Sequence, residues 1–344
     1  MHRIASAALL CLLAAFSTGA SAQYKVLANT KVGGAGGFDY VFADSDGRKL
    51  YVARSGTGAH VAVFNLDTLA PTGDIPNLNG IHGATVDPKT GHGFVSGKPV
   101  TMFDAKTFAI LKKIDVQGNP DGYLNDAYNH RFYVLSHAEP NITVLDDKDG
   151  TILGTINIGG APEQAATDGL GKIYVYIEDK AAIAVIDANT MKMVGKYDVS
   201  SKGGGCAGLA LDAKNQILFA TCRDKNNMII LSATDGHILT DLPIGSGSDG
   251  ATFNPATMEA FSSQGDGTIT VVKENSPTSF VVEQTVTTPP RAKTITLDPK
   301  TGKLFLMTAE YAAPVAPATP PAPGTRPARP AMLPDSFMIV TVGK

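Results

Sequence analysis

Six of seven evenly spaced positions in this chain carry side chains able to move protons or hold a cation: Asp39, His82, Asp121, Glu163, Asp249 and Lys293, with Ala207 the exception. Successive intervals are 43, 39, 42, 44, 42 and 44 residues. A second set recurs with a similar period: Arg54, His137, Glu178, Arg223 and Glu310. If the fold gathered both sets, Asp39, Asp121, Glu163 and Asp249 could bind a hard divalent cation such as Ca²⁺, and His82 with His137 a softer one. Crowded carboxylates also raise one another's pKa, which general acid–base catalysis requires. The same residue types also occur on solvated rims. Spacing alone therefore leaves three readings open: a rim, a binding site for a polar ligand or partner loop, and a metal or acid–base centre.

The elements that would position these residues form a repeat. Five residues after each position of the first set stands Asp44, Asp87, Asp126, Asp168, Asp212, Asn254 or Asp298, in the clearest copies as Asp-Pro-Lys-Thr-Gly. Each unit reads as four short strands rich in Val, Ile, Phe and Tyr, separated by Gly, Asn, Asp and Pro. In the second unit these are a (Ala84–Val86), b (Gly93–Ser96), c (Val100–Phe103) and d (Ala109–Val116). Seven such units predict an all-β, seven-bladed β-propeller with four-stranded blades. The first set then opens strand a of each blade, the second set ends strand b, and both fall on one mouth of the central channel. The last unit stops one strand short, and Tyr24–Val32 resembles the missing d strand, so the ring is expected to close with N-terminal sequence.

Residues 311–335 interrupt strands b and c of the last blade with a segment dense in Pro and containing Arg326 and Arg329. Such composition cannot build a core. It reads as an exposed spacer, or as a flap or docking segment across the same mouth. Within the repeat, Cys206 lies six residues before Asp212 and Cys222 ten after it, opposite one another or one step apart in an a–b hairpin. A disulfide is the favoured reading. A thiol pair for metal or redox work would more often show C-x-x-C spacing.

The ends and the composition bound the setting. A short basic start, the apolar run Ile4–Phe16 and Ala20-Ser21-Ala22 read as a secretory signal peptide over 1–22, leaving a single domain over 23–344. Leu10 before Cys11 does not fit a lipoprotein signal, and no later run is long enough to span a bilayer. The expected location is periplasmic or secreted, where a disulfide persists. A formal net charge of −3 gives no electrostatic footprint for nucleic acid.

The runs Leu50-Tyr51-Val52-Ala53, Phe132-Tyr133-Val134, Ile173-Tyr174-Val175 and Ile183-Ala184-Val185-Ile186-Asp187-Ala188-Asn189-Thr190 resemble those of YncE-like proteins of the YVTN β-propeller repeat family. The resemblance covers essentially the whole chain after residue 22. It implies a propeller and, through links drawn for some members, nucleic-acid binding, which the charge balance does not favour. The matching residues are structural, so it carries over no functional residue. The leading expectation is an exported, monomeric propeller that binds a polar small molecule or a periplasmic protein at its charged mouth. The competing classes are a channel-mouth hydrolase or lactonase, with or without a metal, and a purely structural envelope protein.

Overall fold

A computed structural model describes residues 22–34, 36–313 and 330–344. They form seven four-stranded antiparallel sheets arranged as a seven-bladed β-propeller. Blade one runs Gly37–Asp44 (a), Lys49–Ser55 (b), His60–Asn65 (c) and Pro71–Ile75 (d). The next five blades repeat that order. The seven turn residues have a common chemical reason for being Asp or Asn. In every copy the side-chain Oδ1 accepts the backbone N–H two residues on, from Asp46, Lys89, Tyr128, Leu170, Lys214, Ala256 or Lys300. This side-chain turn reverses the chain between strands a and b at each anchor.

Packing explains why strands b and c lack the alternation of a half-exposed sheet. Each blade lies between two others, so both of its faces are covered. Strand b of blade four, Lys172–Ile177, is buried from its second residue on, and strand c, Ala182–Asp187, up to its last. Ile173, Val175, Ala184 and Ile186 pack against Tyr133, Leu135, Ile142 and Val144 of blade three. Tyr174, Tyr176, Ile183 and Val185 pack against Leu218, Ala220 and Ile229 of blade five. The outer strand d of the same blade, Lys192–Asp198, alternates exposed and half-buried residues.

Blade seven is built from both ends of the chain. Its strands are Lys293–Asp298, Lys303–Thr308, Met338–Gly343 and, outermost, Lys25–Lys31, which runs antiparallel to Met338–Gly343. The ring thus closes with N-terminal sequence, as the missing d strand implied. Tyr24 and Lys344, just outside the paired segments, extend the closure to blade six. The Tyr24 hydroxyl donates to Glu259 Oε2 at 2.6 Å, and Lys344 Nζ pairs with Glu259 Oε1 at 2.8 Å. Gln284 holds the Tyr24 backbone at both its N–H and its carbonyl.

Burial pushes the Glu259 carboxyl up. The bonds from Lys344 and Tyr24 oppose that, and the carboxyl is held below the usual carboxylate range. This stabilisation is present above the ordinary glutamate pKa and is lost as pH falls through the depressed folded value. Tyr24→Phe removes one hydrogen bond to a charged acceptor and should cost about 1.5–3 kcal/mol. Urea unfolding at pH 7 and pH 3.5 would check it. A cost that does not shrink at the lower pH would count against the latch.

Candidate functional site

The ring positions open strand a, and in six blades the a–b register shifts beside them, at Phe38/Val41, Pro120/Tyr123, Pro162/Ala165, Cys206/Gly208, Ser248/Gly250 and Lys293/Thr296. A bulge re-aims the side chain it carries, and here it marks the positions that supply the ring. Directly after them stand Gly83, Gly122, Gly208 and Gly250 in four blades, and Tyr40, Gln164 and Thr294 in the other three. The glycines allow close approach: a Cβ on Gly208 would lie 2.6 Å from Ala251 N, and one on Gly83 2.1 Å from a Tyr123 ring carbon.

The three exceptions act inside the ring. Tyr40 and Tyr123 meet edge to face with ring centroids 5.6 Å apart. Gln164 of blade four accepts from Leu209 N and Ala251 N and donates to Ala251 O, at 3.0 to 3.1 Å, bridging to blades five and six. Thr294 donates to the Asp39 carbonyl at 2.9 Å, joining blade seven to blade one. Tyr40, Tyr123 and Gln164, with Thr85, Asn125, Thr252 and Ile295 among others, line a channel cavity of about 220 Å³.

The ionisable side chains at the mouth form two groups. In the first, His82 Nδ1 lies 2.8 Å from Asp39 Oδ2 and 3.0 Å from Asp121 Oδ1, and His137 Nε2 lies 3.1 Å from Asp121 Oδ2. In the second, Arg223 bridges Glu178 at 3.0 Å and Asp249 at 2.9 Å, and Lys293 reaches the other Asp249 oxygen at 2.8 Å. Arg223 also donates to the Ser248 carbonyl at 2.8 Å. Where blade five has Ala207 in the ring, the guanidinium from the end of its own strand b supplies the charge.

Glu163 feels both groups. Burial, then Glu178, pushes its carboxyl up to about 8, with Arg223 opposing and Asp121 and Asp249 adding to the rise. Burial also raises Asp121. The hydrogen bond to Asp39 raises His82 against the effect of burial. Tyr40 is held well above the ordinary phenol range by burial, with Glu163, Asp121, Asp39 and Asp249 contributing. For Arg223 the carboxylates of Asp249, Glu163 and Glu178 more than offset the downward pull of burial.

Nine of the proposed site residues therefore belong to one electrostatic cluster: Asp39, His82, Asp121, His137, Glu163, Glu178, Arg223, Asp249 and Lys293. Two have different surroundings. Arg54 is 3% exposed, donates to the carbonyls of Gly33, Gly34 and Gly37, and lies 3.7 Å over the Phe337 ring. It braces the glycine loop that leads into blade one, and burial brings its pKa down to about 10. Glu310 pairs with Lys31 of the outermost strand of blade seven. Arg54 stands at the end of its strand b and Glu310 two residues past the end of its own, and both turn to other partners.

Sequence reasoning passed over Tyr40, Tyr123 and Gln164. A signal existed for two of them: Gly follows the ring residue in His82-Gly83, Asp121-Gly122, Ala207-Gly208 and Asp249-Gly250, so Tyr40 and Gln164, in copies that lack it, stand out, whereas Tyr123 follows Gly122 and carries no such mark.

Cys206 and Cys222 are disulfide-bonded and paired across strands a and b of blade five. They directly precede Ala207 and Arg223, so the cross-link fastens the hairpin that presents the guanidinium. Of the Pro-rich insertion, residues 314–329 lie outside the described residues. Its two feet pair, Ala312 N donating to Ala331 O and Leu333 N to Glu310 O, both at 2.8 Å. Beside them is a hollow of about 500 Å³ with walls that include Phe38, Tyr311, Met332 and Leu333, and with Lys293 at its edge. The insertion therefore departs from the mouth side of blade seven.

No protein-family model and no curated protein matches the chain. Its shape matches 1717 solved chains, so the likeness by itself carries no activity. One, from a structure described as "Crystal Structure of Mitotic Checkpoint Complex", superposes with a TM-score of 0.71 over 89% of this chain and 95% of the other, at 13% identity. At that identity the match shows the fold alone.

Glu163 supplies a pH test. Because its folded pKa is raised, its contribution to stability is full below the ordinary glutamate value and is lost as pH rises through about 8. Glu163→Gln should flatten the decline in stability between pH 6 and pH 9, seen by thermal melts across that range. Equal slopes for both proteins would show that the carboxyl is ionised throughout. Cys206→Ser with Cys222→Ser opens a link between residues 16 apart. Denaturant unfolding should show a loss of about 3 kcal/mol.

Proposed function

We propose that this protein is an exported, YncE-like propeller whose mouth binds a polar ligand presenting both hydrogen-bond donors and acceptors. The ligand is a small molecule or the exposed polar segment of a periplasmic protein. The observation that carries this reading is the convergence of nine ionisable side chains from all seven blades at one end of a channel cavity lined by Tyr40, Tyr123 and Gln164. One group of the mouth is carboxylate and imidazole. The other places Arg223 and Lys293 against Glu178 and Asp249. A ligand can exchange with these pairs without leaving a charge buried alone. Export rests on the leader-like residues 1–22, of which 1–21 lie outside the described residues, and on the disulfide, which suits an oxidising compartment. Among the described residues no helix is long and apolar enough to cross a membrane. The Pro-rich insertion supports a flap or docking role, because its feet stand beside Lys293.

A second reading, a hydrolase or lactonase, is favoured by Glu163. A carboxyl held near 8 between cationic and carboxylate neighbours is protonated at neutral pH and able to act as a general acid. Screening ester, lactone and glycoside substrates with wild type and Glu163→Gln addresses it.

Binding is tested with a panel of amino acids, polyamines, sugars, sugar acids and short basic and acidic peptides, followed by thermal shift and calorimetry. At least one class should stabilise the wild type, and Arg223→Met and Asp249→Asn should abolish the effect while keeping native circular dichroism. A ligand that binds all three proteins equally would place recognition away from the mouth.

A further inference from the structure

We propose that Asp39, His82 and Asp121 form a site for one divalent transition-metal ion of the zinc class, which rests on reading the mouth as the functional face. One ligand atom from each lies within 4.8 Å of the other two. The arrangement is more specific than proximity. A single ring nitrogen, His82 Nδ1, faces Asp39 Oδ2 at 2.8 Å and Asp121 Oδ1 at 3.0 Å. One nitrogen carries at most one proton, so one N–H serves two carboxylates. Two anions from blades one and three are thus aimed at a point between them where one cation satisfies both.

The donors are held from behind. His137 Nε2 contacts the other oxygen of Asp121 at 3.1 Å, which orients that carboxylate as an outer-shell partner does. Thr294 Oγ1 donates to the Asp39 carbonyl at 2.9 Å, and Tyr40 N–H donates to the His82 carbonyl at 2.9 Å. Asp39 and Asp121 both sit within strand bulges. Three blades therefore present the set on rigid backbone, and none of the three side chains is fully exposed: 29%, 34% and 19% for Asp39, His82 and Asp121.

Two carboxylate oxygens and an imidazole nitrogen suit Zn²⁺ or Mn²⁺ better than Ca²⁺, which takes about six to eight oxygen ligands. Bonds of about 2.0–2.2 Å in a tetrahedron put ligand atoms roughly 3.4 Å apart. The two contacts of His82 Nδ1, at 2.8 and 3.0 Å, would open by roughly half an ångström to meet that spacing. Three protein donors leave a fourth position for water or for the ligand bound at the mouth, the pattern of open rather than structural zinc sites.

The protein, purified without a polyhistidine tag and stripped with chelator, is titrated with ZnCl₂ and with MnCl₂ by calorimetry. Metal per chain is measured after gel filtration. One equivalent of Zn²⁺ is expected, with at least tenfold weaker binding in Asp39→Asn and in Asp121→Asn, each checked for native circular dichroism. Glu310→Gln, which pairs with Lys31 outside the cluster, should bind as wild type. The absence of a saturable site overturns the proposal, as does a site that both Asn variants leave intact, since that would be surface histidine. The ligand panel is run with and without chelator. A ligand that binds in chelator, with no saturable metal, overturns the metal site and leaves the mouth reading standing. A bound metal with no ligand from the panel does the reverse.

Discussion

A blade of four short strands cannot bury its own two faces, and the rest of the structure follows from that constraint. Each sheet needs a neighbour on both sides, so the series must return to its start or leave an apolar face and a strand edge open. Here the return is made by Lys25–Lys31 against Met338–Gly343. Glu259 of blade six, held by Tyr24 and Lys344 at the same end of that strand pair, ties the closure to the neighbouring blade. The closing strand itself is largely exposed, so its hold depends on backbone pairing and on these polar ties more than on apolar burial.

Closing the ring brings seven innermost strands together, and their first residues must share a small space. Glycine after the ring residue in four blades lets neighbouring backbones approach, as the short distance from a Gly208 Cβ to Ala251 N indicates. Tyr40, Gln164 and Thr294 take up the room in the other three, and they bond across the ring. Above them the fold gathers carboxylates that repel one another. The two histidines, Arg223 and Lys293 supply the compensating charge, each in contact with at least one carboxylate. Glu163, buried and near Glu178, has no such direct partner among the described residues, and its raised pKa follows from that position.

This internal matching also explains why the mouth tolerates burial. A lone ionised group there would be costly, whereas paired groups keep their charge and remain available to a ligand that can replace the partner. The disulfide beside Arg223 fits the same logic, because a guanidinium that spans blades four to six is only useful if its hairpin does not shift.

The repeat was legible because its cause is local. An Asp or Asn turn, a Gly in left-handed backbone such as Gly91 or Gly302, and two continuous apolar runs recur wherever a hairpin must reverse between covered faces. From that repeat followed the blade number, the N-terminal closure, the Cys206–Cys222 pair and the nine residues that converge. Arg54 and Glu310 occupy equivalent repeat positions but turn to the glycine loop and to Lys31, because loop conformation and partners from elsewhere in the chain decide where a long side chain points. The bulges, the two-group pairing of the mouth and the channel cavity lined by Tyr40, Tyr123 and Gln164 appear only once seven strands are packed around an axis. Sequence alone determined which positions open strand a and follow strand b in each blade, since strand period and turn chemistry act over a few residues. The tertiary structure decided which of them touch, since those distances depend on how closely separate blades approach.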